Sequence, residues 1–243
     1  SEKELLERLE EVERRLLEIV RRLLKRNRDV HEELLRIVEA NLRRNKKVHE
    51  DLLEKVRKSV RKEEVKKVID EVDKKSKESL EELKRVIEEV KRLSEETLKK
   101  VEKVIKEVEE ELRRVLDEAR RNPDKDVLKK AIEVARRIIE ELARVLKDDI
   151  DRLRELIKTL ADVLKKDIDE LRRLIKRLME EERVDKVVKE LEDIVEELME
   201  ENKDSLRRLK EIVEELLEEN RRVLEKLRKI VEDVARELEE TAT

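Results

Sequence analysis

The chain contains no cysteine, no glycine, no phenylalanine, tyrosine or tryptophan, and one proline, Pro123. Without cysteine neither a disulfide nor a thiolate metal site can form, and the redox compartment cannot be read. An average chain of this length would carry roughly 17 glycines at about 7% usage, so their absence is itself a signal. Without aromatics there is nothing to stack on nucleic-acid bases. An excess of one charge is also missing: 65 Lys and Arg oppose 69 Asp and Glu, with both signs interspersed, so no basic stripe for nucleic acid stands out. Apolar runs never exceed two residues, against the roughly 20 needed to span a bilayer. The opening SEKELLERLE has no signal-peptide pattern. A soluble chain with no membrane or nucleic-acid partner is expected, and its localisation is not encoded.

What is present is charge, 55% of residues, and an apolar set of 37% built almost wholly from Leu, Val, Ile and Ala. An Ala/Glu/Lys/Leu/Arg bias with helical spacing marks long helices and leaves no room for strands. Disorder would also explain so much charge, but disordered segments lack the apolar surface that offsets chain entropy. Here apolar residues recur on schedule from end to end.

The schedule has a period of 18. Leu5, Leu9, Val12, Leu16, Val20 and Leu23 are followed by Asn27, Val30, Leu34, Val38 and Asn41, then Asn45, Val48, Leu52 and Val56. Eighteen residues in five turns is 3.6 per turn, which predicts nearly straight helices, whereas a seven-residue repeat forces a supercoil. Extending the first register reaches Ser59, Glu63, Lys66, Asp70 and Lys74, all polar, while a new apolar series opens at Val65, Val68, Ile69 and Val72. Similar breaks follow near 123 and 184. The reading is an all-α fold, a single-chain antiparallel up-down-up-down four-helix bundle forming one domain over 1–243. Its helices are placed at about 2–59, 63–121, 124–181 and 185–240, each roughly 87 Å long at 1.5 Å per residue. Asn122-Pro123-Asp124 is a clear stop and start. The turns near Ser59 to Glu64 and Glu181 to Asp185 rest on phase alone, and Ser1 with Glu4 reads as a capping box.

Polar residues interrupt the apolar stripe. They are Asn27, His31, Asn41, Asn45 and His49 in the first segment and Ser76, Ser79, Ser94 and Thr97 in the second. The third has Asp149 and Asp167, and the fourth Asn202, Ser205 and Asn220. Most form pairs 18 apart, as if one layer were built twice. In an antiparallel hairpin facing residues have numbers of constant sum. Asn27 with Ser94 gives 121, Thr97 with Asp149 gives 246 and Asp149 with Asn220 gives 369, and half of each falls at a phase break. One expected layer holds Asn27, His31, Ser94, Thr97, Asp149 and Asn220. The other holds Asn45, His49, Ser76, Ser79, Asp167 and Asn202, with Asn41 and Ser205 nearby.

With these features the chain resembles the family of computationally designed, parametric helical bundles with buried hydrogen-bond networks. The resemblance covers the whole length: the glycine-free and aromatic-free composition, the straight-helix period, the Asn-Pro-Asp turn and the doubled polar layer. It implies layers that set helix pairing and register, in a family whose hairpins serve as heterodimers, switches or assembly components. It carries over no active site.

Each layer does offer a hydroxyl, a His and an Asp, the residue types of a nucleophilic triad. Continuous helix, however, leaves no spare backbone N–H groups for an oxyanion hole. One His and one Asp per layer fall short of the three protein ligands of a catalytic zinc site. No catalytic residue, metal ligand or cofactor is therefore assigned. The expected role is a structural scaffold or helix-pairing module without natural activity. The alternative is a helical interaction protein pairing with a second copy or a designed helical partner, with a pH response through the histidines. A neutral imidazole would make the layers fail in acid, and one held charged by Asp149 or Asp167 would reverse the sign.

Overall fold

Four helices account for almost every described residue: α1 (Glu2–Ser59), α2 (Glu63–Arg121), α3 (Lys125–Glu181) and α4 (Asp185–Glu240). The computed structural model describes residues 2–122, 124–181 and 185–240, and no strand occurs among them. The fold is an all-α four-helix bundle. The expected features at Ser1, at Pro123 and within 182–184 lie outside the described residues.

The turns without glycine are closed by side chains and main chain together. After α1 the chain is non-helical for three residues, the first of which, Val60, is buried at 5% exposure and anchors the reversal. Ser59 Oγ donates to the Lys55 carbonyl at 2.9 Å, satisfying one of the carbonyls a helix end leaves over. At the start of α3, Asp124 stands one residue outside the helix as its cap, rather than as its first residue. Its Oδ1 accepts from the Asp126 amide at 3.3 Å, and its carbonyl accepts from Val127 and Leu128 at 3.1 and 3.2 Å.

Contacts cluster into two compact units, each taking one stretch of every helix. The first comprises Ser1–His31, Leu93–Arg152 and Val213–Thr243, and the second Glu32–Arg92 and Leu153–Ile212. In the first unit the apolar faces meet through Leu16, Val20, Val104, Leu112, Leu142, Leu146, Leu227 and Val231. In the second they meet through Leu52, Val56, Val65, Ile69, Leu171, Leu174, Leu191 and Leu198. Fully burying a Leu, Ile or Val side chain contributes about 1.5–3 kcal/mol, so these faces supply the main driving force. No helix among the described residues is long and apolar enough to cross a membrane.

Surface ion pairs record the chain directions. Within the first unit Arg21 meets Glu109 and Arg28 meets Glu102, and within the second Lys91 meets Glu39 and Arg57 meets Asp73; each pair of numbers adds to 130. A constant sum requires α1 and α2 to be antiparallel. Arg26 with Glu219 and Arg44 with Glu201 both add to 245 for α1 and α4. Arg136 with Glu232 and Arg172 with Glu196 both add to 368 for α3 and α4. Arg137 with Glu111 and Arg152 with Glu96 both add to 248 for α2 and α3. The surface value of 130 for α1–α2 stands above the 121 that Asn27 facing Ser94 would give in the core. The lean of each helical side chain toward its own N-terminus raises such a sum by only about two, so it accounts for a small part of the difference.

Candidate functional site: two buried polar layers

Asn27 and His31 stand four apart on α1, hence on one face, one turn above the other. Both are buried to 1% exposure. The Asn27 amide donates to the Leu23 carbonyl at 2.8 Å and to Asn220 Oδ1 at 2.9 Å, and Asn220 returns a donation to Asn27 Oδ1 at 3.3 Å. His31 Nδ1 lies 2.7 Å from the Asn27 carbonyl, and its Nε2 lies 3.0 Å from both carboxylate oxygens of Asp149. Thr97 Oγ1 donates to Asp149 Oδ1 at 2.8 Å. The first unit thus joins α1, α2, α3 and α4 through one polar layer. Ser94, expected within it, is half-buried at the border of the apolar stripe.

The second unit repeats the theme with different closure. The Asn45 amide donates to the Asn41 carbonyl at 2.8 Å and to Asn202 Oδ1 at 2.9 Å, and Asn41 donates to the same Asn202 oxygen at 3.0 Å. Asn202 donates back to Asn45 Oδ1 at 3.2 Å. His49 Nδ1 sits 2.5 Å from the Asn45 carbonyl. Its Nε2 sits 2.5 Å from Asp167 Oδ2, a close charge contact that is off the hydrogen-bond angle. No hydroxyl among the described residues reaches Asp167: Ser79, the counterpart of Thr97, is half-buried, and Ser76 is buried with its Oγ unpartnered. Ser205 is also half-buried. These serines lie at the border of the apolar stripe, where interhelical packing rather than the 18-residue period decides which one turns inward.

Both imidazoles have raised pKa values. Burial works against the charged ring, but the hydrogen bond and charge of Asp149, with the Asn27 carbonyl behind them, outweigh it at His31. The same balance, with Asp167 and the Asn45 carbonyl, holds at His49. Two features went unread in the sequence. The main-chain carbonyls of Asn27 and Asn45 hold the rings, and the repeated Asn-x-x-x-His spacing was the available signal for this. Glu170 also places a buried carboxylate oxygen in the second unit, 3.6 Å from Lys75 across helices at its other oxygen.

The geometry bears directly on the triad considered above. A general base needs a free ring nitrogen facing the nucleophile. Here one nitrogen of each ring faces a carbonyl and the other a carboxylate. Thr97 gives its proton to Asp149, and neither ring is presented to a hydroxyl. Among the described residues no group of three or more His, Cys, Asp or Glu could hold a metal ion. Compared with protein-family models, curated proteins and solved structures, the chain matches none.

Proposed function

We propose that this chain is a designed structural scaffold and helix-pairing module, whose buried polar layers select which helices pair and in what register. One observation carries the reading. Among the described residues, every hydrogen bond or charge contact between buried polar side chains of different helices joins the α1–α2 hairpin to the α3–α4 hairpin: Asn27 to Asn220, His31 and Thr97 to Asp149, Asn41 and Asn45 to Asn202, and His49 to Asp167. The histidines all lie on one hairpin and the buried aspartates all on the other. An uncompensated buried polar group costs about 1–3 kcal/mol, so a register that separates these partners is penalised several times over. Apolar layers tolerate slippage far better.

The test is a variant in which all buried Asn, His, Thr and Asp of the layers become Leu or Val. Spin labels at cysteines replacing Arg26 and Glu219 report the α1–α4 spacing, which is simple in a chain without native cysteine. A single narrow distance distribution is expected for the parent, and a broad or multiple one for the variant. An equally narrow distribution in the variant would remove the register role. The second reading, pairing between chains, draws on the same geometry, since the contacts joining the hairpins can form equally between two copies. Light scattering separates the two: 29.4 kDa for a closed monomer, twice that for paired chains.

A further inference from the structure

In both layers the imidazole meets acceptors on both sides, a main-chain carbonyl at Nδ1 and a carboxylate at Nε2. A neutral ring carries only one N–H. Beside an ionised carboxylate, either tautomer would turn a lone pair against a carbonyl or carboxylate oxygen. Both contacts are favourable, as a hydrogen bond at His31 and as a charge contact at His49, only when the His–Asp pair holds one additional proton. We propose that each layer is a buried proton-binding site that keeps its proton past the pH at which a free imidazole loses it, and that the His49–Asp167 site holds its proton to higher pH than the His31–Asp149 site. This goes beyond the pairing role and does not depend on it.

The order follows from what remains when the proton leaves to solvent hydroxide. The product is a neutral imidazole beside a bare, buried carboxylate. At Asp149 that charge is shared by the Thr97 hydroxyl and one imidazole N–H. At Asp167 no hydroxyl donates, the carboxylate is closer to its ring, and Glu170 adds a like charge one turn away, partly offset by Lys75 and Arg173. A less stabilised product means a more tightly held proton.

The surroundings do not upset this order. Around His31, α2 and α4 contribute only the uncharged Thr97 and Asn220 to the layer, and the ion pairs Arg28–Glu102, Arg152–Glu96 and Arg26–Glu219 balance in sign at its rim. Around His49, α4 contributes Asn202 and Glu201, the latter paired with Arg44 of α1. α1 and α2 form a groove of about 630 Å³ lined by His49 and Ser76, in which Lys46, Arg57, Lys58 and Lys77 face Glu50, Glu54 and Asp73. This groove brings solvent close to the second layer, which screens its four cations and three anions and lets the site equilibrate.

The experiment is nitrogen-detected NMR of the two imidazoles in the full chain, from about pH 5 to about pH 10, spanning the ordinary histidine value near 6.5. Both rings should show imidazolium shifts beyond that value, His31 should lose its proton first, and T97V should move the His31 transition upward toward that of His49. A neutral ring at about pH 6.5 would overturn the proposal. So would His49 titrating first, or a T97V transition that stays put or falls. The parent's own order decides the matter even if T97V does not fold.

Discussion

Asn27 and Asn220 each give one amide N–H to the other and receive one in return, so each is the other's solvent. Truncating one strands its partner in an apolar layer. Asn27→Leu is expected to cost about 1–3 kcal/mol in urea unfolding, and adding Asn220→Leu should recover much of that loss, since replacing both partners by apolar groups can be nearly neutral. Additive losses would show that the two amides do not depend on each other. Most of these residues were legible in the sequence, because an Asn or His at a position where the period demands Leu or Val declares itself. Ser94, Ser79 and Ser205 were not so easily placed. A small hydroxyl at the stripe's border costs little whether it faces in or out, so pattern alone cannot choose, and the fold left all three half-buried.

At the scale of the helix, the ends fix where each element starts and stops, and the apolar face supplies the main driving force. Asp124 holds the first amides of α3 through its side chain and its carbonyl. Asp124→Ala is expected to lower stability by about 0.5–2 kcal/mol, with faster amide exchange confined to the first turn of α3. Unchanged exchange there would mean that the cap is idle. The helix limits were readable even at the glycine-free turn after Ser59, since an apolar face that jumps phase cannot belong to one continuous helix. The registry of neighbouring helices was less readable. The sum of 130 between α1 and α2 ion pairs, in place of 121, is set by how the two faces pack together, which a list of positions along one strand does not contain.

For the molecule as a whole, the two raised histidines set a pH dependence with a definite sign. The unfolded chain releases its imidazole protons near the ordinary value of about 6.5, while the folded chain keeps them to higher pH. The folded state therefore binds more protons between those limits, and its stability falls as pH rises through them. Below about pH 6.5 the contribution is fully present. Chemical unfolding across this window should show a declining free energy for the parent and a flat one for the His31→Asn, His49→Asn double variant. A parent that gains stability with pH would mean that the imidazoles are buried neutral.

Composition and period alone settled that this chain forms helices, how many, where they stop and which faces are apolar, because each of those depends on local geometry repeated along one strand. Which nitrogen meets which oxygen, that Thr97 closes one layer while Ser76 is left unpartnered in the other, and that Asp149 and Asp167 raise the proton affinity of the rings were decided only when four helices came together. Proton affinity inside a bundle depends on distances of a few ångströms between residues more than a hundred positions apart, and such distances exist only in the folded chain.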